Sequence, residues 1–311
     1  MNIKRFLPLI GVIILAYLLF RFDFSQVVSV FDMIPSYLFI LFLFVSIPVV
    51  LISNIEWQYL LKKQDIHVSF LYSIKNIFIG YFFGFITPGG IGGYTRALYL
   101  KDRAERPLEI CLFNIGIINT IDIITLLLMS IIGAFLFSSI YPYLFYPLLL
   151  FCILWIIFLG VFIHRKTWKW IVSILFRFTI LKPYHQKIST SIPTLEKSLP
   201  KKSQIIVTGL LSFIGWILRF SLFYVFLRSF SIEVDYISVI LIIAIANIIA
   251  MIPISIYGLG TREAVLLSFF SLYSISSDLV LGVSLFWFFV IWMIPSIIGA
   301  IISFFEKKTR I

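Results

Sequence analysis

The chain has 311 residues, of which 61% are hydrophobic and 13% are charged, whereas a soluble domain is about 45–50% apolar and about 25% charged. This composition excludes a soluble globular protein and indicates an integral membrane protein. The formal net charge of +11 does not favour a nucleic-acid partner, because the lysines and arginines crowd short segments beside the apolar runs, as in membrane proteins.

The apolar runs, taken in chain order, predict an all-α, polytopic bundle of transmembrane helices. A helix needs roughly 20 apolar residues to cross the hydrocarbon core. The first run resembles a signal peptide but has no small-residue cleavage site, so we expect a retained span. The candidate spans are Phe6–Phe22, Ile34–Ile55, Ile110–Phe137, Tyr141–Ile163, Ile205–Leu227 and Leu279–Phe305.

Two further apolar segments, Phe70–Leu100 and Tyr236–Ser274, are interrupted by glycine and proline. Each is long enough for two half-depth helices, or for one broken span and a surface helix. If each segment enters and leaves on one side, basic loops fall in the cytoplasm and acidic loops outside, as the positive-inside rule requires. The cytoplasmic set is Lys62–His67, Lys101–Arg106, His164–Gln204 and Glu306–Arg310, and the outer set is Asp23–Met33 and Arg228–Asp235. This partition predicts a multi-pass protein of the cell membrane with both termini in the cytoplasm.

The interrupted segments share a motif, "ITPGGIGGYTRALYL" in the first and "IPISIYGLGTREAVLL" in the second. Each has a proline, then glycines, then Thr-Arg, which are Thr95-Arg96 and Thr261-Arg262. Because the segments enter from opposite sides, they predict two inverted repeats, approximately 34–137 and 205–305, within one membrane domain, 1–311. Broken helices at matching positions of inverted repeats are typical of a transport site near the membrane midplane.

The motif predicts a binding site for an anionic lipid head group. Backbone groups freed by proline and glycine cannot face lipid, and a helix that starts after the glycines presents free N–H groups. Arg96 and Arg262 would clamp a phosphate, beside Thr95 and Thr261. The glycines that would let the backbone approach are Gly89, Gly90, Gly92, Gly93, Gly258 and Gly260. The alternative is that the glycines permit close helix packing and the arginines reach the head groups.

Other charged residues fall within the apolar runs and are candidates for charge balance or coupling. They are Asp122, Arg219 and Glu263. Asp122 is interpreted either as half of a structural ion pair or as a proton-coupling group. Glu56, near a predicted interface, is interpreted as structural. The cysteines and histidines lack metal-ligand spacing, and we expect no metal, cofactor or catalytic residue.

In order and spacing, these features resemble the flippase-like membrane proteins related to the transmembrane region of lysylphosphatidylglycerol synthases. The resemblance rests on the two motifs above, on "NTIDIITLLL" and on "GWILRFSLFYVF". It implies movement of lipids across the bilayer, with aminoacylated phospholipids or polyprenyl-linked lipids as candidate substrates, and no tRNA-dependent synthase activity. The chain departs from the family pattern at Tyr94 and Asn119, where an acidic residue and an arginine are expected.

Two other functions stay open from the sequence. One is a membrane-embedded glycosyl- or acyl-transferase of lipid-linked substrates, or its accessory subunit. The other is a scaffold that recruits a soluble synthase through the basic loop 165–202. The lipid, the direction and energy source of transport, and the oligomeric state are not predicted.

Overall fold

The computed structural model describes residues 36–163, 198–252 and 258–305. These residues form helices and connecting turns, without a strand in any described range. The predicted span Phe6–Phe22, the outer loop Asp23–Met33, nearly all of the loop His164–Gln204, the tail Glu306–Arg310 and Pro253 lie outside them. The helices are α1 Ser36–Lys63, α2 Phe70–Phe85, α3 Arg96–Ala104, α4 Leu108–Leu136, α5 Pro142–Ile163, α6 Lys202–Ser229, α7 Tyr236–Ala250, α8 Thr261–Phe270, α9 Ser277–Phe288 and α10 Ile294–Phe305.

Four described helices are long and apolar enough to cross a bilayer. They are Leu108–Leu136, Pro142–Gly160, Lys202–Ser229 and Ser277–Phe305. Each coincides with a predicted span to within a few residues. The last joins α9 to α10 through a π-helical turn, Phe289–Met293. Pro295 follows this turn and has no backbone N–H to donate. The missing donor explains why the regular α-helical hydrogen bonds are interrupted there. The prediction of an all-α, polytopic membrane protein is confirmed.

The two interrupted segments break where glycine and proline predicted. In the first, α2 has 16 residues and is followed by the 3₁₀ turn Pro88–Thr95 and then α3. In the second, α7 has 15 residues and α8 begins directly after Gly260. At 1.5 Å per residue, α2 and α7 are about 24 and 22 Å long, shorter than the hydrocarbon core of about 30 Å. That both segments return to the side they entered stays a prediction.

Both short helices begin at a capped N-terminus. The Ser69 hydroxyl accepts the N–H of Tyr72 at 3.3 Å before α2, and the Asp235 carboxylate accepts the N–H of Ser238 at 2.9 Å before α7. Such caps satisfy backbone donors that a helix leaves free in its first turn. They fix where each half-length helix starts.

The helices of the two chain halves pack against each other reciprocally. Helix α2 packs on α10, α7 packs on α4, and α1 packs on α6. Thus the short helix of each half lies on the last helix of the other half. Two repeats related by a two-fold axis would give this pattern. The predicted repeats, 34–137 and 205–305, and their inversion stay predictions.

Glycines at two contacts bring backbones close together. A Cβ at Gly299 of α10 would lie 1.9 Å from the carbonyl oxygen of Phe78 on α2, and one at Gly133 of α4 would lie 3.1 Å from that of Leu241 on α7. Both glycines belong to the pentapeptide Ser-Ile-Ile-Gly-Ala, at 130–134 and 296–300. This repeat lies outside the motifs that predicted the broken segments. Small residues at such positions let membrane helices approach without a side chain between them.

Candidate functional site

A cavity of about 370 Å³ lies between the two interrupted segments and helices α1, α4 and α6. Its wall combines charged, amide, hydroxyl and aromatic groups with aliphatic side chains. The polar lining residues are Ser53, Glu56, Tyr81, Tyr94, Arg96, Asn119, Asp122, Arg219 and Asn247, and the aliphatic ones include Ile77, Ile118, Ile123 and Leu126. Such a wall suits a ligand with a charged part and an apolar part.

Arg96 is the first residue of α3, where the 3₁₀ turn ends. One guanidinium nitrogen donates to the Asn119 side-chain oxygen at 3.0 Å, and the Cζ lies 5.0 Å from the centre of the Trp57 ring. Its backbone carbonyl accepts the amide of Asn76 at 3.0 Å. No carboxylate of the described residues lies within 4.0 Å of this guanidinium. Arg96 therefore lines the cavity with its charge not neutralised by direct contact, and its role as a head-group ligand stays a prediction.

Arg219 of α6 is the second arginine of the cavity. It is 8% exposed, donates to the Ser53 hydroxyl at 2.7 Å, and lies over the Trp216 ring at 5.0 Å. Its Nε is buried and has no hydrogen-bond partner within the described part of the chain. A buried donor without a partner costs about 1–3 kcal/mol. An anion in the cavity would satisfy it.

Two carboxyl groups face the same space. Asp122 of α4 accepts a hydrogen bond from the Ser212 hydroxyl, and its backbone carbonyl accepts the indole N–H of Trp216 at 3.3 Å. Glu56 of α1 is 5% exposed, and its Oε1 is buried without a hydrogen-bond partner in the described ranges. The sequence placed Glu56 near an interface, whereas the structure places it in the cavity wall. Its position one helical turn from Ser53 could have indicated a shared face.

Arg262, the other predicted clamp residue, is not part of the cavity wall. Its side chain is 1% exposed and forms an ion pair with Glu263, which is fully buried. The guanidinium lies between two aromatic rings, 5.2 Å from the centre of Trp287 and 5.0 Å from that of Phe288. Glu263 also accepts the Ser284 hydroxyl at 2.8 Å. Because its charge is neutralised and enclosed, Arg262 is placed to hold α8 against α9.

The predicted glycines divide into two groups by position. Four line the cavity, namely Gly89, Gly90, Gly93 and Gly258. Gly89, Gly90 and Gly258 have φ values of 64°, 70° and 79°, a left-handed conformation that favours glycine. Gly92 and Gly260 do not line it. A Cβ at Gly92 would lie 2.0 Å from the Phe83 carbonyl oxygen, so this glycine permits close packing.

Several of the predicted backbone donors already have acceptors within the protein. The N–H of Gly92 donates to the Thr87 hydroxyl at 2.7 Å, and the N–H of Gly260 donates to Glu263 at 2.6 Å. The Thr261 hydroxyl donates to the Gly258 carbonyl at 3.0 Å. Thr95 is outside the cavity wall, and its buried hydroxyl has no hydrogen-bond partner among the described residues. These groups order the turns and leave the arginine side chains as the strongest donors facing the cavity.

Cavity-lining residues of the two chain halves are related by a constant sequence separation. The number of residues that separates Arg96 from Arg262 also separates the two members of four pairs of cavity-lining residues. These pairs are Ser53 and Arg219, Tyr81 and Asn247, Gly84 and Ala250, and Leu126 and Trp292. The first pair is in contact through the hydrogen bond from Arg219 to Ser53. Both chain halves contribute residues to one cavity, and the equal separation is what the predicted repeats would give.

The fold and the cavity define a class: a polytopic helical membrane protein whose interior holds a charged cavity between two interrupted helices. Comparison with known sequences places it more narrowly. Residues 8–299 match the family described as Lysylphosphatidylglycerol synthase TM region, and the chain belongs to that family. It is also similar to a UPF0104 membrane protein of Methanothermobacter thermautotrophicus (strain Delta H), with 19% identity over 278 residues, which cover 82% of this chain and 81% of the relative. The resemblance drawn from the motifs is thus confirmed.

Proposed function

We propose that the protein binds the head group of an anionic lipid in this cavity and moves it across the bilayer. The observation that carries the proposal is the pair Arg96 and Arg219, which line one cavity without a described carboxylate in ion-pair contact. A charged side chain inside a membrane protein without an ion-pair partner in direct contact is costly, and it marks a substrate path or a partner. A guanidinium matches a phosphate through two parallel hydrogen bonds.

The shape and composition of the cavity support a lipid over a free anion. Aliphatic side chains such as Ile77, Ile118 and Leu126 alternate with the charged groups. A volume of about 370 Å³ accommodates a small head group, so the acyl or polyprenyl chains would remain in the surrounding membrane. The family is named for the synthesis of a phospholipid, which favours a phosphate-bearing substrate, and aminoacylated and polyprenyl-linked lipids are the candidates.

The proposal assigns the phosphate contacts to Arg96 and Arg219. Arg262 already has Glu263 as its counter-ion, and a phosphate would have to displace a buried carboxylate to reach it. Breaking such a pair costs about 3–5 kcal/mol. Arg219 has a donor free and faces the cavity. The phosphate clamp is therefore formed by one residue of each chain half, Arg96 and Arg219.

The proposal is tested by lipid translocation in proteoliposomes. Fluorescent phosphatidylglycerol is placed in both leaflets, and the fraction quenched by an impermeant reductant is followed with time. Arg96→Ala and Arg219→Ala should each slow translocation at least about tenfold, since a charge-assisted hydrogen bond contributes about 1.5–3 kcal/mol.

Arg228→Ala is the matched control for these variants. Arg228 is on the same helix as Arg219, but its side chain is 46% exposed and forms a 3.7 Å ion pair with Glu233. This variant should translocate the probe at the wild-type rate. Wild-type rates for both Arg96→Ala and Arg219→Ala would refute the assignment.

A further inference from the structure

One carboxyl group of the cavity, that of Glu56, has no described lysine or arginine in direct contact. Glu56 is 5% exposed and lines the cavity, its Oε1 lacks a hydrogen-bond partner, and no described lysine or arginine lies within 4.0 Å of it. The carboxyl groups of Asp122 and Glu263 are held differently. Asp122 accepts the Ser212 hydroxyl, and Glu263 pairs with Arg262. Glu56 thus differs from both in lacking a direct partner, and it faces the space where the ligand is proposed to bind.

The charged groups around Glu56 come from three neighbouring helices. Arg96, Asp122 and Arg219 act on it through space, and they belong to α3, α4 and α6. The titratable phenols of Tyr81 and Tyr94 also line the cavity, from α2 and the 3₁₀ turn. The wall contributions of α1 itself, Ser53 and Trp57, and that of the π-helical turn, Trp292, do not titrate. With both carboxyl groups ionised, the two positive and two negative side chains cancel.

A phosphate diester disturbs this balance. It adds one negative charge to a cavity that already holds two carboxylates, and like charges in a poorly solvated site repel strongly. The repulsion is relieved at least cost by a proton on Glu56, since Asp122 has the Ser212 hydroxyl as a donor whereas Glu56 has no donor to lose. A protonated Glu56 also becomes a hydrogen-bond donor, which the phosphate oxygens accept.

We infer that Glu56 is a proton-binding site coupled to the substrate, so that the anionic head group enters the cavity together with one proton. This inference rests on the proposed function and adds its co-substrate. On binding, a proton from the solvent joins the Glu56 carboxylate as the phosphate reaches Arg96 and Arg219. On release, the carboxyl group gives the proton up to the solvent on the side where the lipid leaves. A proton gradient would then bias the direction of transport.

The test uses the purified full-length protein and short-chain phosphatidylglycerol, whose phosphate is negative and which carries no amine. Binding is measured between pH 5.5 and 8.5 by the fluorescence of the cavity tryptophans, and by calorimetry in buffers of different ionisation enthalpy. Because protons are taken up on binding, affinity should fall as pH rises, by up to about tenfold per pH unit. The calorimetry should show uptake of about one proton per lipid bound.

Glu56→Gln removes the titrating group at nearly constant size. Its affinity should be independent of pH, and its binding enthalpy should be the same in every buffer. Glu233→Gln, the same change at an exposed position with an 87% exposed side chain, should behave as the wild type.

Three results would overturn the inference. Wild-type binding that is independent of pH and takes up no proton refutes the inference directly. This result is obtained with the wild-type protein alone and does not depend on the folding of a variant. Proton uptake that persists in Glu56→Gln places the proton elsewhere. Absence of binding at every pH refutes the proposed function as well, whereas pH-independent binding that requires Arg219 leaves that function standing.

Discussion

At the scale of single residues, the three arginines inside the helix bundle, Arg96, Arg219 and Arg262, differ in what their side chains contact. Arg262 touches a carboxylate and two aromatic rings. Arg96 contacts an amide and an indole ring. Arg219 contacts a hydroxyl and an indole ring. A paired, enclosed charge stabilises a structure at best weakly but is costly to break. An unpaired one is available to a ligand. We therefore propose a structural role for the arginine in α8 and a binding role for the two arginines that line the cavity.

Replacement of Arg262 should mainly affect stability. Arg262→Ala leaves Glu263 buried without its counter-ion, and the free energy of unfolding should fall by about 3–5 kcal/mol. The double variant Arg262→Met with Glu263→Leu should recover much of that loss, because both charges are removed together. Thermal unfolding in detergent measures both. A loss for Arg262→Ala no larger than that for Arg228→Ala would contradict the structural role.

The shape of the guanidinium should matter at Arg219. Lysine keeps the charge but lacks the planar fork that binds phosphate with two parallel hydrogen bonds. Arg219→Lys is therefore expected to retain translocation below the wild-type rate and above that of Arg219→Ala. The fluorescent-lipid assay ranks the three proteins. Equal rates for the lysine and alanine variants would contradict this expectation, because they would show that a positive charge alone retains no activity at this position.

At the scale of elements, close backbone contacts hold each short helix against a long one. Gly299 and Gly133 lie at these contacts. A Cβ added at Gly299 would lie much closer to the neighbouring helix than a Cβ added at Gly133. Gly116, on the same helix as Gly133, has no atom within 4 Å of a built Cβ. Replacement by alanine should therefore cause the largest steric overlap at Gly299, a smaller one at Gly133 and none at Gly116.

Alanine substitutions test this series. Gly299→Ala should destabilise most, because its Cβ would overlap the Phe78 carbonyl and force α2 and α10 apart. Gly133→Ala should cost less, since side-chain atoms of Ile245 can shift. Gly116→Ala should be neutral or stabilise by about 0.5–1 kcal/mol, as alanine is the better helix former. Melting temperatures in detergent give the order, and a Gly299→Ala protein as stable as the wild type would disprove the contact.

The elements could be predicted from the sequence because their signals are local. Apolar run length located the spans, and the glycines and prolines located the breaks after Phe85 and Ala250. The partners of the charged side chains could not be predicted in this way, since they depend on which helices become neighbours. Glu263 directly follows Arg262, so a contact between the two could be expected from the sequence, but their enclosure away from the cavity could not. Glu56 was missed for the same reason, because its exposure depends on the packing of α1.

At the scale of the whole molecule, the reciprocal helix contacts and the matched cavity positions favour two related halves. In transporters built from inverted repeats, alternating access follows when one half moves against the other about a central site. The halves are not equivalent at that site. Ser53 and Arg219 occupy corresponding positions, and one offers a hydroxyl where the other offers a guanidinium. We propose that this asymmetry gives the cavity a single phosphate position.

The proposed inversion predicts which loops face the same compartment. His67 and Glu233 are at corresponding positions in the two halves and both are exposed. His67→Cys should be labelled by an impermeant maleimide only from the cytoplasmic side, and Glu233→Cys only from the outer side. The native thiols, Cys111 and Cys152, are buried and should give little background. Labelling of both variants from one side would exclude inverted halves.

The central claim is that Arg96 and Arg219 hold a lipid phosphate in one cavity. It is tested most directly by an experimental structure of the protein in nanodiscs that contain phosphatidylglycerol. We expect phosphate density within hydrogen-bond distance of both guanidinium groups, with the acyl chains extending toward the membrane, and loss of this density in Arg219→Ala. Lipid density confined to the outer surface of the helices, with the cavity filled by protein or water alone, would contradict the claim.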